Sequence, residues 1–238
     1  MWFGGAAGAV VVVGLAILLT MLLTGESNPL RRQYAPPQDN RPPLARLCPP
    51  PTGEPAPRPS GPVPVPSGPR TTDVDSGISY RKYPDPWLVW RDRWSQGTLQ
   101  VSYAIGQHFV TETYSGGTYH ASILSGRVPA TVNDALAIDL ACTGRQVAAD
   151  VRSSYYPQPN RVEPLRDEQV VLGGFPAWVT TFRLHFNRAG LRATSELVGV
   201  ALIDIGQPEA AVLYVSIPNT HGQFDWVVDD VLASVRPA

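Results

Sequence analysis

The sequence predicts an α+β domain: an α/β/α sandwich with a mostly antiparallel sheet between two helices, standing behind a transmembrane helix and a proline-rich linker. Three observations carry this. Residues 3–23 hold no ionisable side chain. Fifteen of the chain's twenty-five prolines fall between Pro29 and Pro69. Beyond Thr72 proline thins out and alternating apolar patterns begin, leaving about 165 residues, the size of one domain. The chain thus divides into a signal-anchor helix over 1–25, a disordered linker over 26–71 and a globular domain over 72–238.

A helix over the apolar run is roughly 30 Å long, about one hydrocarbon core. A cleaved leader would show a basic flank before the run and a small-x-small cleavage site after it, and neither is clear. No cysteine follows the run directly, which argues against a lipid-anchored lipoprotein. A single uncleaved span is expected. Gly4 and Gly8 form a GxxxG pair that suits close helix approach or simple tolerance of small residues in lipid. Arg31 and Arg32 after the span, taken alone, place the domain in the cytoplasm. The long proline stalk and the cysteine pair suit an exterior face, and the weight of the two puts the domain outside the cell membrane.

Prolines such as Cys48-Pro49-Pro50-Pro51 and Pro62-Val63-Pro64-Val65-Pro66 cannot sit inside helices or donate to a sheet, so the linker is expected to be an extended spacer. An SH3 or WW ligand is the competing use of such runs.

In the domain, a short strand is expected at 77–83 and a longer one at 98–113, where Leu99, Val101, Tyr103 and Ile105 alternate up to a bend at Gly106. A third, 119–124, follows the turn Ser115-Gly116-Gly117, and the three together suggest an antiparallel meander. The clearest helix runs over 132–154, with Thr131 as candidate N-cap and Asp134 three residues on. Leu136, Leu140, Val147 and Val151 form its core stripe. Gln169 to Leu172, Gly173-Gly174 and Phe175 onward make a hairpin. Its second arm sets Trp178, Thr180, Phe182, Leu184 and Phe186 on a buried face, against Val179, Thr181, Arg183 and His185. Residues 197–205 and 210–217 are nearly continuous apolar runs, the pattern of central strands covered on both faces. A last helix over 223–235 carries Phe224, Val227, Val228, Val231 and Val235 at helical spacing. Sheet with a helix on each face is the simplest arrangement that buries those runs.

The opening strand leading into Tyr83-Pro84-Asp85-Pro86-Trp87, the long middle helix, the Gly173-Gly174-Phe175-Pro176-Ala177-Trp178 hairpin and a terminal helix ending in Leu232-Ala233-Ser234-Val235 resemble the PsbP/Mog1-like superfamily. The likeness covers most of 77–236 and is nearest to the envelope-exposed actinobacterial LpqN-type proteins, which carry a lipid anchor where this chain has its apolar run. It implies an α/β/α sandwich and a mainly non-enzymatic role as a binding or assembly accessory. No catalytic residues carry over from it.

Cys48 lies in the linker and Cys142 lies off the core stripe of the middle helix, about 240° from Leu136. A paired count in an exterior protein favours a Cys48–Cys142 disulfide, which would fold the linker back onto the domain. Two unrelated thiols are the other reading. Without CxxC or suitably spaced histidines the cysteines make no structural zinc site. His108, His120, His185 and His221 lack metal-ligand spacing and read as solvent-facing. No serine elbow, Walker loop or GxGxxG is present, and Asp229-Asp230 and Asp134/Asp139 read as outer-face helix charges. No catalytic residue, metal site or cofactor is therefore expected. With a formal charge of −1, a pI near 6.4 and Lys82 as the sole lysine, nucleic acid is not an expected partner.

One cluster points to binding. Tyr80, Tyr83, Trp87, Trp90 and Trp94 are interleaved with Arg81, Lys82, Arg91 and Arg93, and the three tryptophans have helical spacing. Packing around the first strand is one reading. An exposed aromatic and arginine surface for a glycan, a lipid or a protein is the other, its candidates being Tyr83, Trp87, Trp90, Trp94, Arg91 and Arg93. Three function classes follow: a membrane-tethered, non-catalytic binding or assembly module of the bacterial cell envelope, a carrier or sensor of a small amphiphilic envelope ligand, and a hydrolase with an unrecognised site. The first is the expected one, its partner an envelope protein or a lipid or glycan.

Overall fold

The computed structural model describes residues 40–41, 43–48, 64, 66–128, 139–207 and 209–238. The apolar run, Arg31 and Arg32, most of the proline-rich stretch, and Thr131, Asp134 and Leu136 lie outside them. Among the described residues no helix is long and apolar enough to cross a membrane.

Elements in chain order are α1 (Pro43–Leu47), β1 (Arg70–Asp73), β2 (Ile78–Arg81), β3 (Leu88–Trp90), β4 (Trp94–Gln96), β5 (Val101–Tyr114), β6 (Gly117–Arg127), α2 (Leu140–Ser154), β7 (Asn160–Leu172), β8 (Phe175–Phe186), β9 (Ser195–Ile203) and β10 (Ala211–Pro218). A 3₁₀ segment (Asn219–Phe224), α3 (Trp226–Ala233) and β11 (Arg236–Pro237) end the chain. The main sheet has the order β3-β5-β6-β10-β9-β8-β7, with β4 beside β3 on β5, and every pairing is antiparallel. A small sheet β1-β2-β11 stands apart from it.

Both faces of the main sheet are covered, as the apolar runs require. Along β9 and β10, Val198, Val200, Leu202, Val212 and Tyr214 join Val147 and Val151 of α2 in one core. Ala201, Ile203, Leu213 and Val215 join Val227 and Val231 of α3 in the other. Strand β8 departs from the expected one-sided burial. Phe182, Leu184 and Phe186 face the α2 core while Ala177 and Val179 enter the α3 core, because β8 is flanked by β7 and β9 and roofed on both sides.

The expected three-strand meander is corrected. β5 and β6 form a long hairpin through Ser115-Gly116, but β2 pairs with β1 and β11 and not with β5. Of the two register shifts between β5 and β6, one falls between Tyr103 and Ile105, just before the bend expected at Gly106, and the other between Val110 and Glu112. Gly106 answers a different need, since a Cβ there would lie 2.0 Å from the Ile123 carbonyl oxygen of β6.

The middle helix begins at Leu140, not Val132. Asp139 has extended backbone and its carboxylate accepts the Cys142 N–H at 2.9 Å, so it is the N-cap. The last helix is split at Asp225, where the 3₁₀ segment gives way to α3. Trp87, Trp90 and Trp94 lie on no helix; their spacing spans a turn and the short strands β3 and β4.

Within the stretch expected to be linker, Pro43–Leu47 is a single helical turn that belongs to the folded part. Leu44 is 0% exposed in the α2 core, worth about 2 kcal/mol of burial. Cys48 is bonded to Cys142, 94 positions on, as the paired count suggested.

The Gly173-Gly174 turn of the β7–β8 hairpin has φ of +57° and +89°, the left-handed pair that a two-residue hairpin turn uses. A Cβ on Gly173 would meet the Val235 carbonyl oxygen at 2.3 Å. Gly173→Ala is therefore expected to cost about 2 kcal/mol or more, read as a lower urea midpoint at unchanged m-value.

Candidate functional site

The sheet divides the aromatic cluster in two. Tyr83 and Trp87 enter the α3 core, where Trp87 packs edge-on to Phe109 at 4.8 Å. The loop that carries them is held by Gln107 of β5, a fully buried amide. Its oxygen accepts the Tyr83 N–H at 2.8 Å, and its nitrogen donates to the carbonyls of Tyr83 and Trp87. The Tyr83 hydroxyl donates to Asp230 at 2.6 Å, and that carboxylate also pairs with Arg81. Burial first, and then the Asp230 bond, push the Tyr83 phenol far above its usual range. Tyr83 and Trp87 are thus packing residues.

Trp90 and Trp94 lie against the α2 core. Trp90 meets the His108 ring at 5.0 Å and donates its indole N–H to the Asp92 carbonyl at 2.6 Å. Trp94 stacks on Tyr103 and touches Tyr155 edge-on. Both are half-buried, whereas Arg91 and Arg93 between them are exposed.

What reaches solvent from this region is β3 and its surroundings. Leu88 is 57% and Val89 50% exposed. Beside them lies a groove of about 320 Å³ lined by Arg70, Thr71, Thr72, Lys82, Val89, Trp90, Arg91, Ile105 and Gly106, three cations and no carboxylate. Among the described residues no ion pair engages Lys82, Arg91 or Arg93. Arg70 donates to the Ser79 and Ser234 carbonyls, and burial, together with the neighbouring Arg236 and Arg81, lowers its pKa. A second groove of about 460 Å³, between the β7–β8 turn and α3, is lined by Val171, Leu172, Leu232 and charges of both signs, Arg166, Arg236 and Asp229.

A buried polar cluster lies in the α2 core, and sequence reasoning missed it. Glu196, at the start of β9, is 2% exposed. Its carboxylate accepts from the hydroxyls of Tyr119 and Ser216 and, at 3.4 Å, of Tyr156. Tyr156 and Tyr214 share a 2.7 Å hydrogen bond. Burial pushes the Glu196 carboxyl up to about 7 against the pull of those hydroxyls. No spacing marks it, since a glutamate before an apolar run reads as a strand entrance.

The remaining titratable residues fall into structural places. His108 and His120 are neighbours on β5 and β6, rings 5.4 Å apart, both half-buried rather than solvent-facing and both lowered chiefly by burial. His185 pairs with Glu163 at 2.9 Å, and His221 packs on Phe109. Asp230 serves Arg81 and Tyr83, and Asp139 caps α2, so neither is a free outer-face helix charge. Among the described residues no three His, Cys, Asp or Glu side chains come together to hold a metal ion.

No protein-family model matches the chain, and no curated protein does. Among solved structures it is similar to cyanobacterial PsbP (CyanoP) from Synechocystis sp. PCC 6803. The two share 13% sequence identity over 75% of this chain and 100% of that chain, with a TM-score of 0.42.

Proposed function

We propose that this protein is a membrane-tethered, non-catalytic binding or assembly module of the bacterial cell envelope, with its folded domain outside the membrane. The observation that carries the reading is the β3 face: exposed aliphatic side chains and a groove lined by cations without carboxylates. Leu47, Val74, Leu165, Val171 and Trp226 are as exposed, but at β3 two consecutive aliphatics lie beside a cation-lined groove, the combination that marks an interaction site. The Cys48–Cys142 bond supports an oxidising compartment. The likeness of the sequence to LpqN-type proteins of the PsbP/Mog1-like superfamily agrees with an accessory role. Hydrolysis would need a substrate to reach a carboxyl lying 2% exposed among tyrosines, whereas binding at the open β3 face needs no such rearrangement.

Placement is tested with Val74→Cys, at a position 77% exposed in the turn between β1 and β2, where substitution costs within about 0.5 kcal/mol. A membrane-impermeant maleimide is expected to label this cysteine in intact cells. Labelling that appears only after lysis would put the domain in the cytoplasm and end the envelope reading.

A further inference from the structure

We propose that the β3 edge docks on an anionic bilayer surface, a partner for the same face that rests on the membrane-tethered reading above. Among the described residues, strand β3 pairs on one side only, with β5. Leu88 and Val89 are consecutive on it and therefore point to opposite faces of the sheet, so the edge itself is an apolar ridge with both flanks in water. A flat groove for a soluble ligand would place its apolar residues on one face. A ridge suits shallow insertion between headgroups.

Trp90 anchors the ridge from behind through His108 and the Asp92 carbonyl. An indole with one side on apolar packing and a polar N–H held near the surface is the amphipathic arrangement enriched at membrane interfaces. Arg91, Arg93 and Lys82 surround it without ion-pair partners among the described residues, against the exposed Asp85 and Asp92. Cations around exposed aliphatics complement a negatively charged headgroup layer over acyl chains.

Chain length favours this occupant. Because α1 is bonded to α2 through Cys48, the stretch that would join the expected span to the folded domain runs from Thr24 to Pro43 and not to Arg70. That is about 19 residues, with a contour of at most about 65 Å. A short tether raises the effective concentration of the bilayer at the domain surface, so a weak contact suffices.

The test uses the full chain in nanodiscs of phosphatidylcholine alone or mixed with phosphatidylglycerol, followed by amide hydrogen exchange and light scattering. In phosphatidylglycerol discs, exchange across 87–91 is expected to slow on the order of tenfold, to recover at high salt, and to be unaffected in phosphatidylcholine. Leu88→Gln with Val89→Gln, and separately Arg91→Gln with Arg93→Gln, are expected to abolish the protection and leave exchange in β9 and β10 unchanged. Equal protection in both discs overturns the proposal. So does protection conferred by inorganic phosphate in phosphatidylcholine discs, which would mark a soluble-anion site. Protection that comes with a doubled mass would mean pairing of two copies along the edge, and also overturns it. A chain that elutes apart from the discs sinks the tether; the docking face then stands only if phosphatidylglycerol vesicles added in solution still protect 87–91, and falls with the tether if they do not.

Discussion

Reduction of the Cys48–Cys142 bond is expected to lower the stability of the domain by about 4 kcal/mol. Closing a loop between residues 94 positions apart removes most of the freedom the unfolded chain would otherwise have there. The native state loses something as well. Leu44 is fully buried in the α2 core, and the Cys48 N–H closes the helical turn onto the Leu44 carbonyl at 2.7 Å. A five-residue helix has little stability of its own, so α1 stays in place because one end is bonded and the other is buried. The two fastenings should therefore be coupled. Leu44→Ala is expected to cost about 3 kcal/mol with the bond intact and less than about 1 kcal/mol in the Cys48→Ser, Cys142→Ser background, where the turn has already left its seat. Urea titrations of the four variants measure this. An equal cost in both backgrounds would show that Leu44 is held without the bond, and that the two fastenings act independently.

The disulfide was legible in the sequence because pairing is a matter of count and compartment. The strap was not, since one helical turn between prolines has no periodicity to detect. The same contrast runs through the sheet. Strands β5, β8, β9 and β10 announce themselves by alternation or by unbroken apolar runs, because each contributes to a core. Most of β7 is illegible: as the outer strand it carries Arg161, Glu163, Arg166, Asp167 and Glu168 in solvent or half-buried, a pattern that reads as loop. β3 and β4 are three residues each, and the tryptophans at 87, 90 and 94 imitate a helical stripe only because a turn separates two short strands. For the aromatic and arginine cluster, sequence supplied the residues but not how the fold divides them between core and surface. Which aromatics turn inward is decided by Gln107 holding the 83–87 loop from another strand, a contact that no local pattern encodes. Asp139 as the helix start was hidden for a related reason, because Thr131 with Asp134 offered an equally good local cap.

Glu196 should make the protein lose stability as the pH rises toward neutrality. Its carboxyl is pushed up to about 7 in the folded state from a usual value of 4.5, with burial as the dominant cause. The folded protein therefore binds this proton more tightly than the unfolded chain does. The resulting stabilisation is complete below about pH 4.5, is lost as the pH climbs from there through 7, and changes no further above it. The full swing is about 3 kcal/mol. Other groups titrate nearby with the opposite sign: His108 and His120 are held below 6.5 by burial, so they favour the folded state as the pH rises through their range. The measurable quantity is thus the difference in unfolding free energy between the native chain and Glu196→Gln, taken from pH 4.5 to 8. It is expected to run against the native chain as the pH rises, leaving the variant the more stable of the two above pH 7. Tyr119→Phe gives a second handle, because the hydroxyl it removes holds the Glu196 carboxyl down. Without that hydroxyl the midpoint of the difference curve should move up by about one pH unit. A difference that stays flat from pH 4.5 to 8 would mean that the carboxyl is ionised and paired throughout, and that the tyrosine hydroxyls fully replace the water it has lost.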